Sequence, residues 1–199
     1  MSGGRLIVIS LLINNIAGTA HRSPLTDHRS PTTIFMIRRA IYPGSFDPVT
    51  CGHLDIVERA SHLFDEVVIA VLINQSKVSM FTIPERVEIL QAVIAKRFSR
   101  PDANVKVDTF SGLLADYAIE QNAQAVVRGI RAISDYEYEQ QIALMNRRLA
   151  PNVETVFLMS AQEYSYLSSR LVKEVFSFGG NIDGLVPPIA IEKMRAKIQ

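Results

Sequence analysis

Ala40-Ile41-Tyr42-Pro43-Gly44-Ser45-Phe46-Asp47-Pro48-Val49-Thr50-Cys51-Gly52-His53 reads as a strand, a tight turn and the start of a helix. Pro43-Gly44 breaks the strand, and Asp47-Pro48 marks a further turn, with Asp47 read as a turn former. Thr50 suits the N-cap of a helix running from about Gly52 through the apolar positions Leu54, Val57, Ala60 and Phe64. Such a unit sets backbone N–H groups and the positive end of a helix dipole at the carboxyl edge of a strand, where doubly wound sheets bind ligands. His53 then falls in the first helical turn, where the dipole disfavours an imidazolium and leaves a neutral ring that can still donate a hydrogen bond.

Outward from this stretch, branched apolar runs alternate with helical patterns. Glu66 to Ile73 is nearly continuous in apolar residues and suits a strand buried on both faces. Pro84 opens a helix with Val87, Leu90, Val93, Ile94 and Phe98 at helical spacing, and 104–108 is a strand. A short helix over 112–121, a strand at 125–127, an amphipathic helix over 134–149 and a strand at 155–159 follow. Gly179-Gly180 stops a helix begun near Ser168, and Pro187-Pro188 opens a terminal one whose Lys193, Arg195 and Lys197 suit the negative end of a dipole. The alternation predicts an α/β, Rossmann-like doubly wound parallel sheet with helices on both faces in a single domain. Neither a Walker motif nor G-x-G-x-x-G is present, which removes the usual support for a P-loop NTPase or a dinucleotide oxidoreductase.

Composition agrees. The 199 residues are 48% hydrophobic and 21% charged, enough for one well-buried domain and without the bias of a disordered chain. A formal net charge of +1 argues against a large nucleic-acid footprint. Cys51 is the one cysteine, so neither an internal disulfide nor a thiolate zinc cluster is available, and a cytoplasmic setting is expected. Leu6 to Ile13 behind Arg5 weakly resembles a secretory signal and is too short to span a bilayer. Because Met36-Ile37-Arg38-Arg39 directly precedes the first strand, residues 1–35 are expected to be a dispensable or disordered extension, and 36–199 the functional domain. Cys51, beside a helix N-terminus, is expected to have a lowered pKa, with alkylation blocked by bound nucleotide.

Thr50-x-Gly52-His53 resembles the T/H-x-G-H signature of the nucleotidylyltransferase superfamily, and its flank from Tyr42 to Pro48 resembles the phosphopantetheine adenylyltransferase family. The same resemblance runs in order through Ser76-Lys77, Arg128 to Arg131, Asp135 to Glu139, and Tyr164 to Ser169 followed by Leu171-Val172-Lys173-Glu174. It implies transfer of AMP from ATP to 4′-phosphopantetheine, giving 3′-dephospho-coenzyme A and pyrophosphate. It also implies Mg²⁺ bridging the ATP phosphates with no protein ligand assignable, and a homohexamer. No membrane or nucleic-acid partner is expected.

Adenylyl transfer to an already anionic phosphate needs no general base. It needs positioning and donors aimed at developing charge. By resemblance His53 is the transition-state stabiliser, and Lys77 and Arg128 join it in catalysis. Ser45, in place of the more usual threonine, keeps a hydroxyl for both phosphates. Phe46, Gly129, Ile130, Arg131 and Glu139 line ATP by the same resemblance, with Gly129 admitting the nucleotide close to the backbone. Arg128 faces the pantetheine side, and Leu114 meets the pantetheine arm through main-chain groups. Tyr164, Ser165, Tyr166, Leu167, Ser168 and Ser169 form the closing motif around adenine and the triphosphate. Arg170 stands where a third serine is common, so it either adds a cation there or points to solvent. The plainer alternatives are that Arg128 and Arg131 are ion-paired with Asp135, Glu137 or Glu139, and that Thr50 is only a cap. Rival functions are another nucleotidylyltransferase, for example one using nicotinate mononucleotide, or a nucleotide sensor without turnover.

Overall fold

In the computed structural model, which describes residues 37–74, 79–98 and 104–197, the branched apolar runs become strands. The order along the chain is β1 Arg39–Gly44, α1 Cys51–Ser61, β2 Glu66–Leu72, α2 Ile83–Arg97, β3 Val105–Phe110, α3 Leu114–Glu120, β4 Ala125–Ile130, α4 Ile133–Leu149, β5 Glu154–Met159, α5 Ser169–Ser177 and α6 Pro188–Ala196. The strands form one sheet in the order β3-β2-β1-β4-β5, every neighbouring pair parallel. Alternate residues of the central strands feed two cores. Ala40, Tyr42, Val67, Ile69 and Val71 pack with α1, α2 and α6 on one face, and Ile41, Ala70 and Val126 pack with Ala115, Tyr117 and Ala118 of α3 on the other.

The strand order reverses between β1 and β4, and a doubly wound sheet offers its ligand crevice at that point. Here the crevice is opened by the pairing itself. β1 pairs with β2 from Arg39 to Gly44, but with β4 only at Ala40 and Ile41. Beyond Ile41 the two carboxyl ends diverge, and α1 enters behind them. Its Ile56 lies so close to β4 that a Cβ at Gly129 would sit 3.1 Å from Ile56 Cγ1. Helix-on-strand packing therefore favours glycine at 129, since any side chain there would have to displace Ile56 by a few tenths of an ångström, a reason the sequence did not suggest. Gly129→Ala is expected to cost about 1–3 kcal/mol of stability, read as a lowered urea midpoint; an unchanged midpoint would mean that Ile56 can step aside.

Two expectations need correction. Helix α4 has the predicted extent but contributes no buried residue, and Ile133, Tyr136, Leu144 and Met145 are exposed. The half-buried stripe is Asp135, Glu139, Ile142, Ala143 and Asn146, so the helix faces the sheet with two carboxylates as well as apolar groups. The basic end of α6 does more than suit a dipole: Lys193 meets Glu88 at 2.8 Å and Lys197 meets Glu85 at 2.7 Å, both on α2. The expectations for residues 1–35, and for Ser76 and Lys77, lie outside the described residues.

Candidate active site

Thr50 caps α1 as expected, its hydroxyl accepting from the His53 N–H, but the cap is reciprocal. The Thr50 backbone N–H donates to His53 Nδ1 at 3.0 Å. A nitrogen that accepts from an amide carries no proton, so the neutral ring bears its hydrogen on Nε2. His53 is held well below the ordinary imidazole value of 6.5, at about 4, first by burial and then by the positive charges of Arg131 and Arg128. The ring is thus neutral as expected, with burial and two cations as the causes. Phe46 packs edge-on against it with centroids 5.2 Å apart. Phe46 itself has φ of 45°, a left-handed backbone that costs a bulky residue on the order of 1–3 kcal/mol and persists only where neighbours hold it.

His53 lines a cavity of about 280 Å³ at the β1/β4 opening. Its walls come from Ser45 and Phe46 after β1, Arg128, Gly129 and Arg131 of β4 and its exit, Glu139 of α4, and Tyr164, Leu167, Ser168 and Ser169 around the start of α5. All of these were expected. Ser168 caps α5 by accepting from the Leu171 N–H at 3.1 Å, and the positive end of this second helix also faces the cavity.

Both arginines are paired, as the plainer alternative held. Arg128 makes a two-pronged contact with Glu139 and donates to the Pro43 carbonyl at 3.1 Å. Arg131 donates to Asp135 at 2.9 Å and to the Leu167 carbonyl at 3.0 Å. Each guanidinium is thereby fixed by one α4 carboxylate and one carbonyl of the cavity wall, with N–H donors to spare. Glu139 holds Arg128 and also stands on the cavity wall.

Other expectations fare differently. Ile130 is buried and does not line the cavity; its carbonyl accepts from the Ser160 N–H at 2.8 Å. Ser165 turns back to the Gln162 carbonyl at 2.9 Å, Tyr166 is exposed, and Arg170 lies exposed on α5, none of them on the cavity wall. Leu114, the first residue of α3, packs against the second core away from the cavity. Gly112, two residues before it, has φ of 86°, a left-handed region that favours glycine.

Cys51 reverses its expectation. Its thiol is pushed up by burial and lines a separate, largely apolar groove with Leu54, Val93 and Ile189, while its N–H donates to the Leu185 carbonyl at 2.8 Å. Maleimide labelling of Cys51 is accordingly expected to be slow at pH 7.5 and unaffected by ATP, as peptide mapping can follow; protection by ATP would place the thiol in the other cavity.

Sequence reasoning did not assign Tyr42, Pro43, Gly44, Gly52, Ile56 and Ser160 to the cavity, and Thr50, which caps α1, lines it as well. Ile56 stands three residues after His53 on the same helical face, a signal that was available. Ser160 carries none beyond its place at a strand end. Among the described residues no group of three or more His, Cys, Asp and Glu side chains could hold a metal ion. Asp47, the nearest carboxylate to the turn, is already engaged by Met80 N–H, Phe81 N–H and Lys173. The described residues therefore offer no side-chain set for a protein-held metal.

A model of the cytidylyltransferase-like family matches residues 41–175. A phosphopantetheine adenylyltransferase of Alkaliphilus metalliredigens is 53% identical over 157 residues, 79% of this chain and 97% of the relative. The chain belongs to this family of cytidylyltransferase-like proteins. A second member, from Caldanaerobacter subterraneus, is 50% identical over 163 residues, 82% of this chain and 99% of the relative. Among solved structures, Plasmodium falciparum nicotinic acid mononucleotide adenylyltransferase complexed with NaAD aligns with a TM-score of 0.58 at 13% identity, covering 79% of this chain and 94% of that one. At that identity the likeness concerns the fold, and it matches the single parallel α/β sheet described above.

Proposed function

We propose that this protein transfers AMP from ATP to 4′-phosphopantetheine, giving 3′-dephospho-coenzyme A and pyrophosphate. The observation that carries the chemistry is the convergence of a neutral His53, protonated on Nε2, with two fixed guanidinium groups and two helix N-termini on one cavity. Such an array binds polyanions and leaves a donor free for charge that grows during transfer. Membership of the phosphopantetheine adenylyltransferases supports the acceptor. The acceptor phosphate attacks the α-phosphorus, the bond to the bridging oxygen breaks, and pyrophosphate departs with the electron pair. No proton need leave the acceptor, so a ring that is neutral and only donates is the right instrument.

Lys77 completes the proposed catalytic set with His53 and Arg128, and Leu114 the acceptor side, both by family resemblance. Mg²⁺ is proposed to travel with the ATP phosphates. The exposed apolar groups of α4 supply a face for self-association, proposed as a homohexamer. No described helix is long and apolar enough to cross a membrane; a cytoplasmic setting is proposed because ATP is the donor. The deciding assay is pyrophosphate release from ATP with 4′-phosphopantetheine or nicotinate mononucleotide as acceptor. Turnover with the former is expected, turnover only with the latter would move the acceptor, and ATP binding without turnover would favour a sensor.

A further inference from the structure

Asp47 and Arg86 are among the few charged side chains buried in the described fold, at 3% and 5% exposed, and the chemistry above uses neither. They meet at 3.7 Å, and Lys173 of α5 joins them at 2.8 Å from the Asp47 carboxylate. The cluster ties three separate segments. Asp47 accepts from Met80 N–H at 3.1 Å and Phe81 N–H at 2.9 Å, just ahead of α2. Arg86 of α2 donates to the Phe81 carbonyl at 2.8 Å and to the Ser45 carbonyl at 3.1 Å. Lys173 brings α5, whose Ser169 hydroxyl donates to the Pro48 carbonyl at 2.7 Å. Burial pushes the Asp47 carboxyl up, but the bonds from Lys173, Phe81 and Met80 outweigh it and keep the group ionised.

These bonds bracket Phe46, the left-handed residue whose ring covers His53: the carbonyl before it and the carbonyl two residues after it are both held. A strained residue persists only when its surroundings over-determine it. A buried ion cluster, in turn, is poor value as mere stability, since apolar groups of similar volume often do as well. We propose that Asp47, Arg86 and Lys173 are positioning residues, a cluster of a buried carboxylate with the buried Arg86 and the half-buried Lys173 that holds the Ser45–Pro48 turn, and with it the Phe46 ring, against His53 in the reacting geometry. They touch no reactant. They fix the groups that do, where a displacement of about 1 Å can cost on the order of 100-fold in rate.

The inference rests on the proposed adenylyl transfer only for its kinetic test. Lys173→Met is expected to lower kcat about 10- to 100-fold at a temperature where circular dichroism shows it fully folded, with the Kd for ATP changed far less; Lys173→Arg is expected to restore most of the rate. Asp47→Asn should act in the same direction and not add fully to Lys173→Met. A second readout is independent of turnover: NMR titration of the His53 ring, near pH 4 in the wild type, should move upward in Lys173→Met as the Phe46 cover loosens. Wild-type kcat and an unmoved titration in folded Lys173→Met would overturn the cluster's role. Wild-type protein without turnover would sink the adenylyl-transfer reading instead, and the ring titration would still decide this one.

Discussion

His53→Ala is expected to lower kcat about 100- to 1,000-fold, corresponding to roughly 3–4 kcal/mol of lost barrier stabilisation, with KM for ATP altered much less. The reason is geometric. The Thr50 amide occupies Nδ1, so only Nε2–H is available, and it is a donor whose worth appears as charge builds during transfer. Stopped-assay kinetics at saturating ATP check it, and an equal loss in KM with kcat preserved would make His53 a ground-state contact. The same ring predicts a pH effect on stability. Its folded value of about 4 lies below the ordinary 6.5, so the unfolded chain binds the extra proton first as pH falls. Stability is whole above 6.5 and is lost progressively down to about 4, a contribution on the order of 3 kcal/mol. Urea midpoints of wild type and His53→Gln should therefore converge as pH drops through that window, and parallel curves would show that the ring is not buried neutral.

Arg128→Met is expected to reduce kcat/KM about 100- to 1,000-fold, because it removes charge-assisted donors worth roughly 1.5–3 kcal/mol each and also leaves Glu139 unpaired on the wall of a cavity built for anions. The second effect can be separated from the first. In Arg128→Met/Glu139→Gln the stranded charge is gone, so the double variant should recover about tenfold over the single one, a coupling within the range measured for contacting charged pairs. Glu139→Gln alone should lose activity through a less firmly held Arg128. A double variant no better than Arg128→Met would mean that the Glu139 carboxylate has a contact of its own with the reactants.

Much of the site was readable beforehand because its parts are local. A threonine three residues before a histidine at a helix start, serines at the start of another helix, and arginines at a strand end are sequence-near patterns with mechanisms attached, and the cavity wall holds them. The failures lie where neighbours are remote in the chain. Whether Arg128 is free or paired depended on α4 returning Glu139 eleven positions later onto the same opening. Ser165, Tyr166 and Arg170 sit inside a recognisable motif yet face away, since a short turn at Gln162–Tyr164 and the α5 helix rotate successive side chains off the cavity. Cys51 was placed at the right helix end and on the wrong side of it, because adjacent helical residues point about 100° apart.

The class, a parallel α/β sheet, and the turn that carries His53 were legible in the chain alone: short branched apolar runs between turn signals favour buried strands, and Pro43-Gly44 followed by Thr50 marks a strand end and a helix cap. The remaining features came from packing between distant segments. It opened the crevice by parting β1 from β4 after Ile41, left little room beyond glycine at 129 through Ile56, and turned Asp47 from a turn former into the buried centre of an ionic cluster. Those outcomes depend on pairing register and on charges brought together across more than a hundred residues, and neither is written in any local window.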